Sequence, residues 1–409
     1  MSGVISSTTK AQISGHKFLV RRVEHGVVLG DTRMISDPLG ARKRAAVFGL
    51  IGVAIIAVGS GAPALFAPAV DPGDAPIIRT ESGALYVRMP SDSGTALHPV
   101  ANEASARLVV GKPEAATKAS AAVLDGQQRG APIGILGAPG VIAPHPQPAH
   151  TWSAVHSGSD VTVVAGTAPA PLTDAQGLLA HADGRTWVIT TAGRAELPPD
   201  DTPLGRSIRR RLGITIDTPM WRPPAQLLSA VTELPPYREI TGDIIATGTE
   251  YWLLRHDGLV PLTTLQAQIV TDLGIVQRPV PPHTLPEYPD AVRVVAELPL
   301  APVQWQTPTH VWVRADGRVG LGEPAPHRIS LAGKATATHF SGPNIGAIGV
   351  DTGNGIVLVT DYGVTHTVAT PADAAALGVV DPQTAPWPIL ALLPRGAELS
   401  HTAALKPQG

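Results

Sequence analysis

Along the chain, apolar and polar positions fall into three regimes. In the first, Leu19, Val23, Val27, Gly30 and Met34 recur at three- and four-residue intervals, the period of one helix face. Arg21, Arg22, His25 and Arg33 fall on the other faces. Ser14 suits an N-cap and Asp37-Pro38 a stop. The second regime is an uncharged run of 26 residues between Arg44 and Asp71, centred on AAVFGLIGVAIIAVGSGAPALF. A hydrocarbon core ~30 Å thick takes about 20 helical residues, so the pattern predicts one transmembrane helix over 45–66. A mid-bilayer Lys or Arg costs ~2.5–3.5 kcal/mol, so the span should stop at a boundary formed by Arg42, Lys43 and Arg44. Beyond Asp71 comes the third regime, short β-branched runs broken by glycine and proline.

That last regime repeats itself. Counting from Trp187, Trp252 and Val357, a glycine falls six residues on, at Gly193, Gly258 and Gly363. A Leu-Gly pair follows in each (Leu212-Gly213, Leu273-Gly274, Leu377-Gly378), and then a Leu-Pro pair (Leu234-Pro235, Leu298-Pro299, Leu393-Pro394). The unit reads as a strand, a glycine turn such as Asp257-Gly258, a short helix such as Leu265–Leu273 closed by glycine, and a last apolar segment. A more divergent copy starts at Leu85. One such unit buries too little surface to stand alone, so neighbours should pack. The spacing leaves two strand-like insertions, around Val161–Val164 and Val311–Arg314. The expected class is α+β: a cytosolic arm (1–44), a membrane helix (45–66), a linker (67–82), and repeats at 83–140, 186–236, 250–300 and 356–400. A central β-rich domain would be assembled from 151–185 and 301–355.

Charge fixes the expected orientation. Residues 1–44 carry eight basic side chains and three acids, a net +5 that leaves −7 for residues 45–409. Positive-inside bias then puts the arm in the cytosol and the large domain outside the plasma membrane. A basic tail on an acidic body is not the footprint of a nucleic-acid binder. Cleavage after Ala67-Pro68-Ala69 is the alternative to an anchor, but the basic region before the apolar run is too long for an ordinary signal peptide. The arm itself fits either a helix lying on anionic lipid or a helix docking on a protein.

Candidate chemistry is sparse. The chain has no cysteine, which excludes disulfides, thiolate metal sites and a thiol nucleophile. Gly111-Lys112 has Pro113 where a phosphate loop needs Ser or Thr and Ala106 where it needs glycine. The simpler reading is that Gly111 ends a helix. His145, His150 and His156, in or beside a Pro-rich stretch, read as solvated loop residues rather than metal ligands. The cluster Arg206, Arg209, Arg210 and Arg211 reads as a solvated helix face, or more sharply as a lipid, glycan or subunit contact. No catalytic residue, cofactor site or metal site is expected.

The stretch Thr9–Pro38, TKAQISGHKFLVRRVEHGVVLGDTRMISDP, resembles the N-terminal signature of the EccB family. The match is carried by Gln12, Ser14, Gly15, Phe18, Leu19, Arg21, Arg22, Glu24, His25, Asp31, Arg33, Met34, Asp37 and Pro38. It resumes at Gly83–Val100, Ser105–Gly111 and Trp252–Leu262. The resemblance implies a structural membrane subunit of the type VII (ESX) secretion machinery of mycobacteria and related actinobacteria, with four repeats flanking a central domain. It also implies partners: other membrane subunits of that complex, its cytosolic motor ATPase subunit, further copies of the chain joined through the outer domain, and membrane lipid. On that view Phe18, Leu19, Arg21, Arg22 and Arg33 are the partner-binding candidates of the arm. The family is sometimes labelled ATPase, so a tethered nucleotide hydrolase is a second reading, and a glycan-binding module a third. Many relatives carry a cysteine pair in the outer domain, and this chain departs from them there.

Overall fold

A computed structural model of the chain describes residues 9–30, 32–33, 38–66, 70–92, 94–144, 150–291, 295 and 297–408, excepting the side chains of 38–40 and 57–66. Two compact units divide it, Met1–Val70 and Asp71–Gly409. The class is α+β.

The first unit holds two helices, α1 (Lys10–Leu29) and α2 (Pro38–Phe66). Helix α1 starts on a capping box in which Thr9 and Gln12 satisfy each other's backbone N–H groups. The expected cap, Ser14, lies inside the helix; the signal it obscured was Thr9-x-x-Gln12. The helix ends at Gly30, left-handed at φ 68°, one turn before the periodic pattern ends. Met34 lies outside the described residues. Pro38, read as a stop, instead opens α2, where its missing N–H costs nothing. Among the described residues no helix is long and apolar enough to cross a membrane. The segment 45–66 is helical throughout as part of α2, but the side chains of 57–66 are outside the described set.

Among the described residues the second unit contains four sheets that share one four-stranded topology, the second of them carrying a fifth strand, Gln304–Trp305, parallel to its first. Sheet I joins Ile77–Thr80, Leu85–Ser91 and Gly94–Val100 as an antiparallel meander; after α3 (Glu103–Val110) the chain returns as Thr117–Ala119, parallel to the first strand. Sheet II repeats this with Gln176–Ala182, Arg185–Thr190, Gly193–Leu197, α4 (Pro203–Arg211) and Met220–Trp221. Sheet III uses Asp243–Thr247, Glu250–Arg255, Gly258–Leu262, α5 (Thr264–Asp272) and Gln277–Pro279. Sheet IV uses Ile348–Asp351, Ile356–Val359, Thr365–Thr367, α6 (Pro371–Leu377) and Gln383–Thr384. Each sheet opens one strand before the point that the sequence pattern marks.

The four sheets share their caps and their closure. Asn102, Thr202, Thr263 and Thr370 each accept the third helical N–H with a side-chain oxygen, worth about 1 kcal/mol apiece. In each sheet the third strand is then clasped by a later segment through a two-bond parallel bridge. Leu97 is clasped by 128–130, Arg194 by 232–234, Leu259 by 289–291 and Thr365 by 394–396. That bridge corrects the Leu-Pro register: Leu234-Pro235 and Leu393-Pro394 sit at it, whereas Leu298-Pro299 lies beyond it. It also explains two of the glycines. Gly193 (φ 142°) and Gly258 (φ 131°) follow two-residue turns, and a Cβ on either would collide with the clasping carbonyl, of Thr232 or Pro289. Gly363 (φ 78°) lies in a longer turn against Phe340.

A six-stranded sheet takes its strands from both insertions. Trp152–Ser157 and Asp160–Ala165 stand between His310–Arg314 on one side and His339–Ser341 on the other. One face of it (Trp152, Ala154, Val163, Val311, Val313, Phe340) shares a core with one face each of sheets II and IV. The opposite faces of those two sheets serve other cores. Leu179 and Val188 pack with sheet III through α4 and α5, and Leu358 packs with sheet I through α3 and α6. Sheets II and IV are therefore buried on both faces, which is why GLLA and IVLV read as continuous apolar runs. Leu212 and Leu377 are buried, and Leu273 is partly so.

Candidate functional site

The candidate partner-binding residues all lie in the first unit. Helix α1 turns His25 inward, 3% exposed, and Gly26 against the Thr32 methyl. Its remaining apolar residues face out: Phe18 is 53% exposed, Leu19 59%, Val23 65% and Val27 80%. The stripe predicted by periodicity is thus a surface, uncovered among the described residues. The arginines are more occupied than expected. Arg22 Nε donates to the Thr32 carbonyl at 3.1 Å, tying the helix to the turn after Gly30. Arg21 and Arg33 have interaction partners as well. Of the boundary cluster, Arg42, Lys43 and Arg44 all lie inside α2 rather than before it, because a helix backbone continues through charges that a bilayer would exclude. Lys43 pairs with Glu24 of α1 at 3.1 Å, an exposed contact worth under ~1 kcal/mol.

In the second unit, several sequence candidates acquire structural roles. Gly111 is the left-handed C-cap of α3 (φ 72°). Gly111-Lys112 therefore follows a helix and precedes a strand, the reverse of the strand–loop–helix setting of a phosphate loop. The arginine cluster is in part a solvated face, with Arg206 and Arg210 exposed, but its side chains are also engaged. Arg206 and Arg209 donate to the carbonyls of Asp201 and Pro198, both at 2.6 Å. Arg211 grips Asp272 with bonds of 2.8 and 2.5 Å, and Ser207 donates to the same carboxylate at 2.9 Å. The last turns of α4 and α5 are thereby fastened together. The Arg211 hydrogen bond is the main reason that Asp272 titrates below the usual carboxylate range.

His156 is no loop residue. It is 7% exposed, on the core face of a central-sheet strand, and its Nδ1 accepts from Trp221 Nε1 at 3.0 Å. That bond joins the central sheet to the last strand of sheet II and fixes the proton on Nε2. Burial pushes His156 and His150 below the ordinary imidazole range. His366 is fully buried and shifted the same way, its Nδ1 bonded to the Ala397 carbonyl at 2.8 Å. His145 lies outside the described residues. Among the described residues no group of His, Asp and Glu is placed to hold a metal ion.

A sequence profile for the family described as "Type VII secretion system ESX-1, transport TM domain B" matches residues 5–243 and 257–408. The chain belongs to the EccB family. A curated relative, "ESX-1 secretion system ATPase EccB1" of Mycolicibacterium smegmatis (strain MKD8), is 28% identical over 97% of this chain and 95% of its own length. Among solved structures, a chain of "Structure of an intact ESX-5 inner membrane complex, Composite C3 model" superposes with a TM-score of 0.67 at 24% identity. It covers 100% of this chain and 97% of that one. A chain of "Structure of EccB3 dimer from the ESX-3 core complex" gives 0.65 at 21% identity, covering 81% of this chain and 100% of that one. These establish the EccB fold in both parts of the chain.

Proposed function

We propose that this EccB chain is a structural, membrane-anchored subunit of a type VII secretion core complex. The observation that carries the reading is coverage: the family profile runs from the cytosolic arm to the C-terminus, and the solved relatives are parts of inner membrane assemblies. On this reading α2 crosses the plasma membrane over 45–66, with Arg42, Lys43 and Arg44 at the cytosolic headgroups and residues 71–409 outside. The four like sheets are one repeated unit, two on each flank of the central sheet. They bring copies of the chain together, as the dimer named for the ESX-3 relative invites.

The arm is the docking element for cytosolic parts of neighbouring subunits, the motor ATPase subunit among them. Its exposed face through Phe18, Leu19 and Val23 supports this, since a water-facing stripe of this kind marks a contact surface. Changing both Phe18 and Leu19 to serine should leave insertion intact and reduce recovery of partner subunits from gently solubilised membranes. Arg21→Lys separates protein from lipid: an anionic surface values the two cations alike, at ~1 kcal/mol, whereas a carboxylate fork does not. Normal recovery from both variants at normal protein levels would return the arm to a lipid-binding role. The name ATPase borne by curated relatives favours a second reading, a nucleotide hydrolase. The setting of Gly111 after a helix argues against a phosphate loop there. Saturable binding of a labelled ATP analogue to the intact chain would support the ATPase.

A further inference from the structure

The two Leu-Pro pairs of sheets II and III, one at the clasping bridge and one beyond it, share a second property. Leu234-Pro235 and Leu298-Pro299 line one cavity of about 340 Å3. Its deep wall is apolar: Val188 is 2% exposed, Leu212 5% and Leu298 1%. Leu300, 52% exposed, stands at its mouth. Both prolines contribute imide nitrogens that have no hydrogen to offer. Well-packed domains leave few voids larger than a water molecule, and an apolar cavity of ~150 Å3 is enough to hold benzene. This one falls within the ~300–1,000 Å3 of small-molecule sites.

One polar group of the lining is placed to orient a guest. Tyr237 is half-buried at the cavity wall, and among the described residues its hydroxyl has no hydrogen-bond partner. Burial pushes the phenol up to about 12, so it keeps its proton and acts as a donor at any physiological pH. We propose that this cavity binds a small, largely apolar molecule carrying one hydrogen-bond acceptor, which the Tyr237 hydroxyl receives. The site is independent of the arm and of any nucleotide.

Benzophenone fits that description, two apolar rings around one carbonyl, and it inserts into C–H bonds under near-ultraviolet light. The full-length chain in lipid nanodiscs is irradiated with benzophenone and digested, and the adducts are mapped by mass spectrometry. Adducts should concentrate on the peptides carrying 234–237 and 298–303 and should saturate with probe. Tyr237→Phe, which keeps the shape and removes one neutral hydrogen bond, should weaken saturable labelling about 2- to 10-fold. Leu300→Trp, at an exposed position where a larger side chain meets solvent rather than core, should block the mouth and abolish it. Labelling spread without enrichment at these peptides, or unchanged in both variants, overturns the proposal. Labelling present in the isolated chain but lost in membranes containing the assembled complex also overturns it and gives the cavity to a protein partner.

Discussion

Replacing Gly258 by alanine isolates the clasp that closes the third strand of each of the four like sheets. The backbone there is at φ 131°, and the new Cβ would collide with the Pro289 carbonyl and stand 3.0 Å from Ala291 N. The clasping strand must give way, with loss of the bonds from Leu259 N to Pro289 O (2.8 Å) and from Ala291 N to Leu259 O (2.9 Å). Two net hydrogen bonds are worth roughly 1–3 kcal/mol, and the positive φ adds ~1–2. The expected loss is therefore about 2–5 kcal/mol by those values. Gly274 supplies the control, since it lies just after α5 beside the same sheet, at φ 87° with nothing within 4 Å of its would-be Cβ. Alanine there should cost only the ~1–2 kcal/mol of the backbone conformation. Hydrogen exchange on the full chain reads the difference directly at the Leu259 and Ala291 amides, which should lose protection in Gly258→Ala and keep it in Gly274→Ala. Equal losses in the two variants, or an intact pair of slow amides in Gly258→Ala, would refute the clasp as a source of stability.

Three further outcomes are expected. Leu377, fully buried between sheets I and IV, should cost ~2–5 kcal/mol as alanine, and partly buried Leu273 less; denaturant midpoints of the two variants give the ranking. His150, His156 and His366 all bind protons more weakly folded than unfolded. Stability present at pH 7 should therefore be lost as pH falls below the ordinary imidazole value of 6.5, and His156→Asn should flatten that slope in thermal melts at pH 7, 6 and 5. Because the chain lacks cysteine, one introduced at Ser6 should be shielded from an impermeant maleimide in intact cells and one at exposed Ser229 labelled; the opposite pattern would invert the topology.

Much of this architecture was legible, and the gaps have physical causes. Helix α1 and its outward stripe follow from a 3.6-residue period, and the second and third strands of each sheet from β-branched runs around glycine turns. The first strands were missed because short segments such as Ile77–Thr80 carry no alternation to set them apart from a loop. His156 was read by its Pro-rich neighbourhood, whereas Trp152–Ser157 is an interior strand whose burial comes from sheets distant in sequence. The cross-link made by the arginine cluster went unread for the same reason, since its acceptor Asp272 lies 61 residues from Arg211. Partners that distant leave no periodic trace. Nor does the cavity: the Leu-Pro pairs stood out as punctuation, and only packing turned them into walls.

The pairing of the sheets has a consequence for how the chain comes to its shape. Sheet II packs on sheet III, the central sheet closes around them when His310–Arg314 meets Trp152–Ser157, and sheet I meets sheet IV last. The order is that of nested brackets. The outermost pair spans 270 residues, where Arg107 reaches the Leu377 carbonyl. A chain emerging N-terminus first can complete its innermost pair early, but its first sheet waits for its last. Loss of the segment after Leu377 would thus take Val379, Leu399 and Ala404 out of the core that α3 shares with α6, and the damage of a C-terminal truncation should show at the opposite end of the domain, near residue 100.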